Sequence, residues 1–113
     1  MNDTNTALVD AETVTMLRET GAFAEVMDLM TRSMSGGLDL LEHGIATQNR
    51  EQVRRVAHRL CGAANQVGAL RLGRAWREVE DGAFDLSIDE LGSGHDRLCD
   101  LWTQTRRVLE VAA

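Results

Sequence analysis

At 113 residues the chain can bury one core and form one domain, and is too short for a comfortable second. It has no proline and no tyrosine, only 4% aromatic residues, and an abundance of Leu, Ala, Arg, Glu and Met, which excludes a many-stranded β fold and points to an all-α domain. Its formal net charge is −6 and all 12 basic residues are arginine, so generic nucleic-acid binding and attachment to an anionic membrane surface are both disfavoured.

No apolar run approaches the ~18 residues of a membrane span. The first ten residues, MNDTNTALVD, lack the basic start and apolar middle of a secretory signal. Two cysteines in an otherwise ordinary chain suit a reducing cytoplasm better than a disulfide scaffold. A cytoplasmic monomer is expected, with no cofactor and no metal of its own.

Residues 1–9 are polar and read as a flexible tail, leaving 10–113 as the domain. Asp10 is placed to cap a short first helix, with Glu12 in its first turn, Val9 set to staple onto Val14, and Gly21 as its stop. A second helical pattern carries apolar residues at Phe23, Val26, Met27, Met30, Met34, Leu38, Leu41 and Ile45. Gly36-Gly37 interrupts it as a kink or a break; the stripe stays in phase across the pair, which favours one long helix. Asn49 caps a third helix, with Gln52 placed to complete a capping box; the helix runs from Arg50 to about Val67 and stops at Gly68. A fourth spans Ala69 or Leu70 to about Asp81, ended by Gly82. Ser87-Ile88-Asp89-Glu90 is a second capping box, opening a last helix whose inward seam reads Ile88, Leu91, His95, Leu98, Trp102, Thr105, Leu109, Ala112. Four long amphipathic helices with short connections predict an antiparallel up-down four-helix bundle with a short additional N-terminal helix.

On the third helix, at about 100° per residue, Val53, Val56, Leu60, Ala64 and Val67 gather on one side, the predicted core face. His58 falls roughly opposite, among Glu51, Arg54, Arg55, Cys61, Gly62 and Asn65. Periodicity alone also allows an idle surface histidine. Gly62 argues otherwise: a glycine inside a helix costs about 0.5–1 kcal/mol against alanine, and this one lies a turn from His58, where a side chain would crowd the ring. The competing reading is that Gly62 lets another helix approach.

The stretch AHRLCGAANQVGALRLGRAWREVE resembles the signature of histidine phosphotransfer (HPt) domains, with Ala57, His58, Leu60, Gly62, Gly68, Ala69, Leu72 and Glu80 in matching places. The signature covers about a fifth of the chain; the helix order, the Asp10 start, the GAF opening of the second helix and the polar cap before the third also fit. The resemblance implies a phosphocarrier in a two-component phosphorelay, with His58 exchanging a phosphoryl group with receiver-domain aspartates or a hybrid histidine kinase. It also implies that Glu80, on the following helix, accepts a hydrogen bond from the ring and fixes its tautomer; a solvated helix-end charge is the plainer alternative. Any magnesium would belong to the receiver.

One departure stands out. The family usually has lysine three positions after the histidine, and here that position is Cys61. Cys61, Gly62 and Arg59 are expected around the phosphoryl group, with Arg54, Arg55, Asn65 and Gly62 meeting the partner; an ordinary solvated face with Glu51–Arg55 pairing is the competing account. Two readings come from other classes. His58, Cys61, His95 and Cys99 nominally make a zinc set, opposed because His95 lies on the inward seam of a diagonal helix. The second is a non-catalytic helical adaptor that binds a kinase or response regulator without carrying phosphate, which Cys61 keeps open.

Overall fold

The computed structural model describes residues 7–112. Five helices follow one another: α1 Ala11–Glu19, α2 Phe23–Ala46, α3 Arg50–Gln66, α4 Leu70–Gly82 and α5 Ile88–Ala112. Helices α2 to α5 form an antiparallel bundle in which α3 packs against α2 and α4, and α5 closes the ring against α4 and α2. α3 and α5 are therefore diagonal. The expected tail, 1–9, lies mostly outside the described residues; of its last three, Leu8 packs against the core.

Helix ends follow the chemistry of their caps. Three helices close with the paired carbonyl bonds of a Schellman motif, centred on Gly21, Gln48 and Gly68, all three in the left-handed region. The Ser87 box is complete in both directions: the Ser87 amide donates to Glu90 Oε1 at 3.0 Å and the Glu90 amide to Ser87 Oγ at 3.1 Å. Those bonds hold the Glu90 carboxyl below the usual glutamate range. The Asn49 box is half made. Asn49 accepts from the Gln52 amide at 3.1 Å, but the Gln52 side chain turns away to the Leu40 carbonyl at 2.8 Å, tying α3 to α2. Asp10 sits at the N-cap position without capping: its carboxylate accepts from the Thr13 hydroxyl at 2.6 Å, and its amide donates to Gly68 O at 2.7 Å. α1 is thereby fastened across the α3–α4 turn. Val9 and Val14 line one hollow, and Val14 is buried. Gly82 does not stop α4 by a left-handed turn; it is the last helical residue and the Leu86 side chain covers it.

α2 runs unbroken through Gly36-Gly37. The two glycines differ in purpose. A Cβ on Gly36 would meet nothing within 4 Å, whereas one on Gly37 would fall 2.7 Å from Leu60 Cγ. Gly37 thus lets α3 seat Leu60 against the α2 backbone, and Gly73 does the same on the other side, where a Cβ would overlap Asn65 Oδ1. With small residues on both flanks, α3 is drawn deep between its neighbours. The core beneath includes Met34, Leu41, Val53, Leu60, Leu72, Trp76, Leu91 and Leu98, each at 1% exposure or less. The indole N–H of Trp76 meets Met34 Sδ at 3.4 Å. At the far end, Arg50 donates to Ala83 O at 3.0 Å and Leu86 O at 2.6 Å, clamping the α4–α5 connection to the start of α3.

Candidate phosphoacceptor site

Burial of Val53, Val56, Ala57, Leu60 and Ala64 sets the rotation of α3, and that rotation puts His58 outside, its side chain 73% exposed. The ring leans towards α4, where Glu80 is held by the inward stripe of Leu72, Trp76 and Val79. His58 Nδ1 and Glu80 Oε2 are 2.7 Å apart. A carboxylate has only acceptors, so Nδ1 carries the hydrogen, and in the neutral ring the lone pair is then on Nε2. Glu80 is more sheltered than the ring, with its side chain 20% exposed, which limits the competition of water for the bond. The arrangement leaves one ring nitrogen open to solvent and sets a fixed acceptor against the other, which is what a nucleophilic imidazole requires.

His58 and Glu80 share a shallow depression of about 340 Å³ with Cys61, Gly62, Arg77 and Asp81. Of the site residues expected from the sequence, His58, Glu80, Cys61 and Gly62 come together here. Arg59 does not: with Arg55, Gln52, Val56 and the exposed Leu40 it lines a separate depression on the α2 side. Asp81, the residue after Glu80, also lies on the rim. Gly62 differs from the expectation that a side chain there would crowd the ring. A Cβ there would meet nothing within 4 Å, so one methyl does not crowd the imidazole of the free domain. Gly62 is simply bare backbone beside the imidazole.

Cys61 is a free thiol whose pKa is raised by partial burial and then by the negative charge of Glu80. It is accordingly uncharged near neutrality and supplies no cation. Asn65 donates towards its sulfur at 3.6 Å and lies over Gly73. Arg54 pairs with Glu51 at 2.5 Å, while Arg55 lies 4.0 Å from the same carboxylate and is 67% exposed. Arg77 was missed. The signal was available: it stands three residues before Glu80, on the neighbouring surface of the same helix.

The zinc set is not assembled. His58 faces the α3–α4 edge, while His95 lies against α2, its Nε2 3.2 Å from the Leu38 carbonyl. Among the described residues no group of three or more histidine, cysteine or acidic side chains is placed to hold a metal. No helix among them is long and apolar enough to cross a membrane.

A helical bundle with a solvent-facing, carboxylate-oriented histidine at mid-helix defines the phosphotransfer class of signalling domain, and the sequence agrees. Residues 25–108 match the Hpt domain family, and the chain belongs to that family. Histidine phosphotransfer in a two-component phosphorelay is the function that membership assigns, in company with kinases and receiver domains. The crystal structure of histidine-containing phosphotransfer protein B (HptB) from Pseudomonas aeruginosa PAO1 is similar in fold, with a TM-score of 0.85 over 94% of each chain at 16% sequence identity. No curated protein matches the chain.

Proposed function

We propose that His58 is the phosphoacceptor and that the protein is a stoichiometric phosphocarrier working in the cytoplasm as a monomer. In the forward step the Nε2 lone pair attacks phosphorus. The bond from phosphorus to the receiver aspartate breaks, and its electron pair leaves on the aspartate carboxylate. The Nδ1 proton stays where it is, so the ring acquires a positive charge, and Glu80 faces that charge at hydrogen-bond distance. Onward transfer is the same step in reverse with a second receiver. The ring needs no proton to be taken away, which is why the site has an orienting carboxylate and requires no general base.

The observation that carries this reading is the 2.7 Å His58–Glu80 contact on an otherwise open surface. A histidine kept only for packing would be buried, and an idle one would have no oriented, sheltered partner. Docking of the receiver falls to the rim: Arg54, Arg55 and Asn65 on α3, with the exposed Leu40 of α2 beside Arg55 and Arg59 as an apolar contact. The overall charge of −6 argues against nucleic acid and an anionic membrane as partners.

The test is transfer of labelled phosphoryl from a loaded receiver domain. Wild-type protein takes up acid-labile, base-stable label and His58→Gln takes up none. Equal labelling of the variant would remove the assignment. Receiver binding without any label on wild-type protein would instead identify an adaptor.

A further inference from the structure

A phosphoryl group on His58 Nε2 would enter a depression that already holds two carboxylates. Two of the six residues lining its depression, Glu80 and Asp81, are carboxylates, and the thiol of Cys61 is neutral. Among the described residues, the one cationic side chain lining that depression is Arg77 of α4. We infer that Arg77 is the phosphate-binding cation of this site, contributed by α4 from directly across the seam from Cys61. The inference rests on His58 as phosphoacceptor and deepens that reading.

Three observations agree. The first is register. His58 meets Glu80, and Asn65 lies over Gly73, so each step up α3 is matched by one step down α4. Three steps from His58 lead to Cys61 and three from Glu80 lead to Arg77, which makes these two positions opposite each other. The second is electrostatic: the positive charge of Arg77 acts on the Cys61 thiol and opposes the rise caused by burial and Glu80. The third is availability. Arg77 Nε lies 3.7 Å from Asp81 Oδ2, a loose pair with both side chains more than two-thirds exposed. A surface pair of this kind is held weakly and yields to a dianionic phosphoryl group, to which a guanidinium can offer two parallel N–H donors. Of the arginines flanking the histidine on α3, Arg55 and Arg59 line a different depression, and Arg54, whose charge also reaches Glu80, is bonded to Glu51. The position on α3 that faces the phosphoryl group therefore needs no charge of its own in this chain, because the facing helix carries it.

The experiment compares wild type, Arg77→Gln, Arg77→Lys and Arg77→Gln combined with Cys61→Lys. Initial rates of phosphoryl uptake from a loaded receiver, receiver affinity and thermal melting are measured for each. Loss of one charge-assisted contact made to the transferring group slows Arg77→Gln by roughly ten-fold or more. Its melting temperature and receiver affinity stay close to wild type. Arg77→Lys retains most of the rate, and Cys61→Lys restores it to the Gln variant by returning a cation from the other side of the seam. Wild-type rates in Arg77→Gln would overturn the inference. So would a slow variant that neither lysine rescues, because Arg77 would then act through fold or docking. Failure of wild-type protein to accept label, or labelling of His58→Gln, would count against the phosphoacceptor assignment and not against Arg77 in particular.

Discussion

Gly62 offers a sharp separation of stability from function. It lies inside α3, four residues before the helix ends, and is exposed. An added Cβ would meet nothing within 4 Å, so alanine brings no steric penalty in the free domain. What remains is the backbone term: an unstrained glycine-to-alanine change in a helix is worth about 0.5–1 kcal/mol in favour of the fold. For a domain of this length that corresponds to a melting temperature raised by roughly 2–6 °C. Leucine at the same position gains most of the same term. Its side chain, however, leans towards the N-terminal end of the helix, over the turn that carries His58. Gly62→Leu is therefore expected to melt above wild type and yet to transfer phosphoryl roughly 10–100-fold more slowly, since displacing a docked partner by an ångström costs on that order. Gly62→Ala falls between, more stable and only mildly slowed. Thermal melts and initial transfer rates on the same preparations decide the matter. Lower stability in Gly62→Ala would refute the backbone argument, and wild-type transfer by Gly62→Leu would refute the idea that bare backbone keeps the nucleophile accessible.

Glu80→Ala is expected to keep the fold and lose about ten-fold or more in transfer rate, the scale of one hydrogen bond to a charged group, while Glu80→Gln retains more because an amide oxygen still accepts from Nδ1–H; matched transfer assays separate the two. The glycine pair of α2 should respond with opposite signs. Gly36→Ala gains about 0.5–1 kcal/mol, and Gly37→Ala loses about 1–2 kcal/mol because its methyl must push the buried Leu60 out of its seat, both readable by denaturant titration. Arg50→Met removes the donor of two loop carbonyls while keeping the aliphatic stem, and a loss of about 2 kcal/mol is expected, with hydrogen exchange accelerated first in residues 83–87. Uniform exchange across the domain would mean that the clamp is not local.

Much of the fold was legible because helical periodicity and capping are local. The phase of the apolar stripe carried α2 through Gly36-Gly37, and Asn49, Gly68 and the Ser87–Glu90 box marked ends that the structure reproduces. The outward direction of His58 followed from the same phase. Glu80 was reached differently, through resemblance to a family. Periodicity says where a residue lies around its own helix and nothing about which residue of the next helix it meets.

That second quantity is register, and it belongs to the tertiary structure. The close approach permitted by Gly73, together with the turn at Gly68, sets how far α4 slides along α3. From that one translation follow the pairing of His58 with Glu80 and the meeting of Arg77 with Cys61. The sequence by itself determined which helices form and which faces they hide, because those depend on neighbours one turn away. Only the packed bundle decided which charges surround the histidine, because that depends on where backbones can come close enough to touch.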